Sequence, residues 1–253
     1  MRHYLYILTF FVSLHLGNSS VWADPLASRF VLPQLKYKGG NFKPLNGALE
    51  GLLMQIARRT SIEILREPIE LELTSPALHR YPFLYMSGNS GFEPLPDTEI
   101  KTLRNFLNYG GFLLIDDNSQ EEKSDFDVSV RRLVDRLFPQ TPLKQLSRDH
   151  SIYRSFYLIN HVTGRTAHKP FLEEISVKGR TVLVYSSNDL GGAWARNKLG
   201  GWNYDMLAGG EVERQESIRL GINIAMYALT LDYKKDMVHL PIILERLRRY
   251  RLQ

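Results

Sequence analysis

One strand–helix–strand stretch constrains the fold of this chain more than any other feature. Residues 81–86 are a continuous apolar run that ends in Ser87-Gly88-Asn89-Ser90, which is typical of a strand buried on both faces. Leu95-Pro96-Asp97 then begins an amphipathic helix that Gly110-Gly111 ends. A second buried strand, residues 112–115, follows at once. This order predicts a right-handed parallel unit and therefore an α/β fold.

The remaining periodicity fits the same fold class. Residues 45–56 have the spacing of an amphipathic helix, and the alternation in residues 69–73 is typical of an outer strand. Apolar residues at 130–137 predict a helix that Pro139 ends. The other predicted elements are a hairpin of residues 171–177 and 181–185 around Lys178-Gly179, a long helix from Ile218 to Leu229, and a short basic helix that begins at Leu240.

The N-terminus has the pattern of a cleavable export signal. A short basic segment precedes an apolar run from Tyr4 to Leu16, and Val21-Trp22-Ala23 carries small residues at the two positions that a signal peptidase reads. The run is shorter than the roughly 20 apolar residues of a spanning helix. We expect residues 1–23 to be removed, with cleavage after Ala23, to leave a single periplasmic or secreted α/β domain at 24–253. Retained membrane anchoring is the alternative.

Composition excludes several classes of function. The chain has no cysteine, so it has no thiol nucleophile, disulfide framework, cysteine-based metal site or lipidated cysteine. Its net charge of +5 over 253 residues implies a solvated surface and no nucleic-acid partner. An anionic membrane surface or a cell-wall polymer remains open as a weak peripheral partner, reached through the basic C-terminal helix.

Polar residues follow three predicted strands at the point where each strand ends. They are Ser87-Gly88-Asn89-Ser90, Asp116-Asp117-Asn118 and Ser186-Ser187-Asn188-Asp189. In open α/β sheets, ligands bind outside the carboxyl ends of the strands. If the three strands are parallel neighbours, we expect the polar clusters to open into one cleft, with Asn89, Asn188 and Asp189 among its ligand-binding residues.

Asp116 and Asp117 are candidate catalytic or metal-binding residues. With Asp125 and Asp127 they supply the hard oxygen ligands that Mg²⁺ or Ca²⁺ prefers. Their spacing matches no cation-binding loop, so helix caps and solvated charges are the competing interpretation. Asp127 is a candidate N-cap as well as a candidate ligand-binding residue. Adjacent side chains of an extended chain point to opposite sides, so we expect only one of the pair to face the cleft. No cofactor is predicted, and a divalent cation at this pair is the alternative.

Residues 149–157 combine a histidine with an arginine and two phenols. His150 is a candidate general base, and Tyr153 and Arg154 suit an anionic or sugar-like ligand. The competing interpretation is a surface loop with an aromatic anchor and a structural histidine. Trp194, with Trp202, forms either a carbohydrate platform or packed core.

Several short motifs run through most of the chain: Tyr37-x-Gly39-Gly40, Pro82-Phe83-Leu84-Tyr85, residues 110–117, Phe126-Asp127, Phe138-Pro139, residues 150–157 and residues 185–194. In combination they resemble a bacterial family of domains of unknown function, number 4159. The resemblance implies a flavodoxin-like fold of the class I glutamine-amidotransferase-like superfamily, a three-layer sandwich with a mostly parallel central sheet. It implies no reaction, because that family has no established one.

The same resemblance marks site candidates without assigning their roles. They are Asp116, Asp117, Asp127, His150, Arg154, Asn188, Asp189 and Trp194. Glutamine amidotransferases carry a cysteine on the turn after a central strand, where this chain carries Asp116-Asp117. Glutaminase chemistry is therefore excluded.

Three functions remain open from the sequence. The first is an exported domain that binds a small molecule, an envelope polymer or an envelope protein in the cleft, without chemistry of its own. The second is a periplasmic hydrolase that uses Asp116 or Asp117 with His150 on an envelope polymer or a small ester or amide. The third is an envelope-surface scaffold that works through the basic C-terminal helix. The sequence contains no G-x-S-x-G, P-loop, dinucleotide or H-E-x-x-H motif, which favours the first.

Overall fold

The computed structural model describes residues 29–250, with side chains up to residue 230. The predicted signal peptide, residues 1–23, lies outside the described residues. The strands are β1 Gln34–Leu35, β2 Glu70–Leu71, β3 Phe83–Gly88, β4 Phe112–Asp117, β5 Lys144–Gln145, β6 Glu173–Val177 and β7 Arg180–Ser186. The α-helices are α1 Ala48–Arg59, α2 Asp97–Asn108, α3 Asp125–Leu137, α4 Leu190–Trp194 and α5 Glu211–Tyr250. Two short 3₁₀ helices span Leu78–Arg80 and Ser151–Arg154.

The strands form one seven-stranded sheet in the order β2-β1-β3-β4-β7-β6-β5. All neighbours from β2 to β7 in that order run parallel, and β6 is antiparallel to both β7 and β5. Helices cover both faces of the sheet, so the chain is a three-layer α/β sandwich. The predicted α/β fold class and mostly parallel central sheet are confirmed.

The β3–α2–β4 unit forms as its sequence predicts. Every residue of β3 and β4 is buried, and α2 presents its buried apolar residues from one face. The chain then reverses at Gly110, whose φ of 125° favours glycine. A Cβ on Gly111 would come within 2.3 Å of the Phe106 ring. Close packing of the helix end against the strand therefore requires glycine at this position.

The β6–β7 hairpin is also confirmed. Lys178 and Gly179 occupy its turn with φ values of 53° and 75°, the left-handed pair that a tight two-residue hairpin requires. The predicted outer strand is β2, which lies at one edge of the sheet. Strands β1 and β5 were not predicted.

Two apolar clusters hold the three layers together. One lies between the sheet and α1, α4 and α5, and the other lies between the sheet and α2 and α3. The side chains of β4 alternate between the two clusters. Phe112 and Leu114 belong to the first, and Leu113 and Ile115 belong to the second. The same alternation continues into Asp116 and Asp117.

Two local predictions are revised. Asp127 is not the N-cap of α3, because the Ser124 hydroxyl accepts from the Asp127 amide at 2.8 Å and caps the helix. The last helix and the predicted basic helix from Leu240 belong to one element, Glu211–Tyr250, whose side chains after residue 230 are outside the described part. Among the described residues, no helix is long and apolar enough to cross a membrane.

The close approach at Gly111 generates a stability prediction. Gly111→Ala should lower the free energy of unfolding by about 1–3 kcal/mol, because the added methyl group overlaps the buried Phe106 ring. Gly210→Ala is the matched control, since no heavy atom lies within 4 Å of its Cβ position, and it should stay within about 0.5 kcal/mol of wild type. Urea unfolding of both variants measures the difference, and equal effects would contradict this packing.

Candidate functional site

The three polar strand ends lie side by side, as predicted. Ser87 of β3 pairs with Asp116 of β4, and Asp116 pairs with Ser186 of β7, all in parallel register. They do not, however, open into a cleft. Asp116, Asn188 and Asp189 have no exposed surface. The covering groups are the first turn of α4 and a loop of residues 163–169, which we name the covering loop.

The Asp116 carboxylate accepts four hydrogen bonds. Its Oδ1 accepts from the backbone amide of Leu190 at 2.9 Å, and its Oδ2 accepts from the amide of Gly191 at 2.7 Å. The Tyr85 hydroxyl and the Asn118 amide nitrogen each donate to Oδ2 at 2.8 Å. This carboxylate therefore joins β3, the end of β4 and the start of α4.

Asp189 is the second buried acid of this cluster. It sits before α4 in a left-handed conformation, with a φ of 54°, and accepts from the Gly192 amide at 2.9 Å. Arg165 of the covering loop donates from Nε to Oδ2 at 2.5 Å in a buried ion pair. The Asn118 amide nitrogen donates to Oδ1 at 2.9 Å, so Asn118 bridges the two acids.

Burial dominates the electrostatics of this acid pair. It raises the pKa of Asp116 to about 7, with a further rise from the Asp189 charge, against the lowering effect of the Gly191 and Leu190 amides. Burial also raises the pKa of Asp189, although Arg165 opposes that shift. The Tyr85 phenol, buried beside Asp116, has a pKa far above its ordinary value. Burial is therefore the largest cause of all three shifts.

Asn188 anchors the covering loop. Its side-chain oxygen accepts from the Lys169 amide at 2.9 Å, and its amide nitrogen donates to the Lys169 carbonyl at 2.6 Å. A Cβ on Gly164 would lie 2.0 Å from the Asn188 carbonyl oxygen, so the covering loop packs against the backbone that follows β7 at a distance that only glycine allows. The Asn188 side chain therefore forms its hydrogen bonds within the protein. Asn89, by contrast, is exposed beyond the end of β3.

Asp117 faces the opposite side of the sheet from Asp116. It accepts from the Ser124 hydroxyl at 2.5 Å and from the Ser119 amide at 2.9 Å. The two aspartates cannot share a cation, because alternate residues of a strand point to opposite faces. Within the side chains described for residues 29–230, no group of three or more acidic, histidine or cysteine residues is arranged to hold a metal ion.

A partly exposed ionic network continues from Asp117. The Tyr185 hydroxyl donates to Asp127 at 2.8 Å, and Arg131 donates to the same carboxylate from Nε at 2.9 Å. Burial alone raises the pKa of Asp127, but Arg131 and Tyr185 together bring it below its ordinary value. Arg131 and Lys169 also contact Glu173, at 3.1 and 2.7 Å.

His150 is not near the two aspartates. Its Nδ1 accepts from the Ile152 amide at 3.2 Å and caps the short helix Ser151–Arg154, and its Nε2 lies 3.0 Å from the Thr181 hydroxyl. Thr181 precedes Ser186 on β7 by a distance of about 16 Å at the usual rise per residue. The predicted pairing of Asp116 or Asp117 with His150 is therefore not formed.

Trp194 and Trp202 form no open platform. Trp194 has no exposed surface and donates from its indole nitrogen to the Ser217 carbonyl at 2.9 Å. Trp202 lies between two guanidinium groups, with Arg196 at 3.7 Å and Arg214 at 4.4 Å from the ring centroid. Packed core is therefore the correct interpretation of Trp194.

Tyr153 and Arg154 line a surface pocket of about 350 Å³, which we name the edge pocket. Its other lining residues are Gln145, Leu146, Arg148, Asp149, Leu158, Ile159, Asn160, His161, Val162, Pro170 and Phe171. The Leu146 amide donates to the Leu172 carbonyl, next to Glu173, and Glu173 pairs with Tyr185 near the end of β7. The edge pocket thus lies toward the carboxyl end of the sheet, at its β5–β6 edge.

Sequence reasoning missed several residues of these sites. Arg165 and Tyr85 hold the acid pair, and Arg148 and His161 line the edge pocket. The sequence could have indicated Tyr85, because a tyrosine inside a buried strand needs a hydrogen-bond partner. No sequence pattern indicates Arg165, since its partner Asp189 is remote in sequence.

Comparison with known proteins gives one match. A family model with the description "Domain of unknown function (DUF4159)" matches residues 31–229. No curated protein matches the chain.

The raised pKa of Asp116 predicts a pH-dependent stability. An unfolded aspartate titrates near pH 4 and the folded Asp116 near pH 7, so between these values the folded state holds the extra proton. The free energy of unfolding should therefore fall as pH rises from about 4 to about 7, by up to roughly 1.4 kcal/mol per pH unit for one group. Asp189 adds to the fall because its pKa also rises.

Urea unfolding at a series of pH values measures this slope. Asp116→Asn should flatten it, while Asp135→Asn, a change at an exposed position of α3, should leave it as in wild type. A wild-type free energy that rises between pH 4 and 7 with a slope unaltered by Asp116→Asn would contradict the assignment.

Proposed function

We propose that this chain, which belongs to the DUF4159 family of domains of unknown function, is an exported domain that binds a ligand without catalysing a reaction. The observation that carries the proposal is the contrast between two neighbouring regions. The acid cluster at the strand ends has its carboxylate oxygens occupied by protein donors. The edge pocket instead presents exposed arginines to solvent.

The environment of the acids supports binding over hydrolysis. A general base needs an oxygen or nitrogen within hydrogen-bond reach of a substrate proton. Asp116 and Asp189 are covered by α4 and the covering loop, and His150 is engaged in a helix cap on one nitrogen and with Thr181 on the other. The hydrolase hypothesis requires an aspartate and a histidine close to each other, and the structure does not bring them together.

The edge pocket supports binding through its size and lining. Its volume of about 350 Å³ falls in the range of roughly 300–1,000 Å³ usual for small-molecule sites. Buried Tyr153 and Ile159 give it an apolar floor, and Arg148 and Arg154 stand exposed at its rim. A few charged groups around an apolar floor are the usual composition of a ligand site.

Export and superfamily are further parts of the proposal. The basic, apolar and small-residue pattern of residues 1–23 supports a periplasmic or secreted location, where the ligand is an envelope or extracellular compound. The parallel order β1-β3-β4-β7 supports a place in the class I glutamine-amidotransferase-like superfamily. The absence of cysteine supports a member without glutaminase activity.

The binding proposal predicts a stabilising ligand. In a screen of small carboxylates, phosphates and sugar acids, at least one compound should raise the thermal unfolding midpoint saturably, because a ligand that binds only the folded state stabilises it. Arg154→Ala should abolish the rise. Lys101→Ala, an exposed cation on α2, is the control and should retain it. A rise that survives Arg154→Ala would exclude the edge pocket.

The non-catalytic proposal predicts a structural role for His150. His150→Ala should lower the free energy of unfolding by about 1 kcal/mol, since the cap of the short helix is lost, and His150→Asn should recover part of that loss. Neither variant should change the background rate with nitrophenyl ester and amide substrates. Turnover by wild type that disappears in His150→Ala would restore the hydrolase hypothesis.

A further inference from the structure

The edge pocket carries more positive than negative charge. Arg148, Arg154 and Asp149 are exposed around it, and none of the three takes part in an ion pair among the residues that the structure describes. Arg154 donates to the backbone oxygen of Asp149, not to its carboxylate. Both guanidinium groups therefore keep unneutralised charge and free donors for a carboxylate or phosphate.

His161 contributes less to this charge. The pKa of the Glu213 carboxylate is lowered mainly by a hydrogen bond from the Gly210 amide, and the nearby His161 adds to the lowering. The Glu213 carboxylate is therefore within electrostatic range of the imidazole. The two arginines remain as the groups that would hold an anion.

The other side of the edge pocket is apolar. Ile159 and Val162 are buried in the cluster beneath it, whereas Leu158 keeps 73% of its surface exposed. Phe156, on the same loop, is 44% exposed. Apolar side chains left in water beside a pocket mark a surface that gains from contact with an apolar partner.

We infer that the edge pocket takes an anion with an apolar body, such as a fatty carboxylate or an alkyl phosphate. The anionic group pairs with Arg148 and Arg154, and the hydrocarbon chain lies against Leu158, Ile159 and Phe171. This assignment of a ligand class rests on the proposed binding function, which it makes more specific.

Four small probes distinguish the contribution of the anionic group to binding from that of the hydrocarbon chain: octanoate, octanol, octylammonium and acetate. Titration calorimetry on the purified protein should show octanoate binding at least about tenfold more tightly than each of the other three, because only octanoate offers both the charge-assisted hydrogen bonds and the apolar area. Equal affinity for acetate would overturn the apolar part of the inference. Equal or tighter binding of octanol or octylammonium would overturn the anionic part.

Two pairs of variants test whether octanoate binds in the edge pocket. Arg148→Ala/Arg154→Ala should weaken octanoate binding at least about tenfold, and Lys101→Ala should not. Leu158→Ser should weaken it severalfold, while Leu199→Ser, a change at a leucine 97% exposed elsewhere on the surface, should not. Octanoate binding that is unaffected by the edge-pocket variants would overturn the site.

The same titrations separate failure of the ligand class from failure of the binding function. If octanoate does not bind but another screened compound does, and Arg154→Ala abolishes that binding, the ligand class is wrong and the binding function stands. If no compound binds, both are wrong. If anionic phospholipid vesicles displace octanoate, the inference is supported and the ligand comes from a membrane lipid. If they do not displace it, the inference is supported and the ligand is a soluble amphiphile.

Discussion

The carboxyl end of this sheet is organised around the buried carboxylate of Asp116. Its four donors come from β3, from the residue after β4 and from two backbone amides of α4. A buried carboxylate without such donors would cost several kcal/mol, because its hydration is lost and nothing replaces it. The position of α4 over the strand ends therefore depends on this carboxylate. Asn118 extends the arrangement to Asp189, and Asp189 extends it to Arg165 of the covering loop.

This arrangement moves the open surface away from the place where α/β sheets usually bind ligands. The crevice outside the parallel strand ends is the customary site, but here α4 and the covering loop fill it. The chain that continues past β5 and returns to β6 instead forms the edge pocket, beside the filled region and toward the same end of the sheet. The acids then act as structural supports for the walls of a neighbouring pocket, and the proposed ligand meets arginines rather than aspartates.

The sequence predicted those features whose signals are local. The β3–α2–β4 unit and the β6–β7 hairpin follow from short runs of residues, and strand alternation correctly separated Asp116 from Asp117. The burial of Asp116 was not predictable in this way, because the Leu190 amide that covers it lies 74 positions along the chain. His150 was a reasonable candidate base until Thr181, 31 positions away, proved to be its partner. Strand β5, whose Gln145 lines the edge pocket, was also not predicted.

We infer that the acid cluster is a covered structural core and not a site that opens. Amide hydrogen exchange at Leu190, Gly191 and Gly192 tests it directly, because these amides donate to Asp116 and Asp189. All three amides should exchange only through global unfolding, with the same protection as the central strands β3 and β4. Exchange of these amides through a local opening, while β3 and β4 stay protected, would contradict it. In that case α4 would behave as a lid, and the aspartates at the strand ends would again be candidate active-site residues.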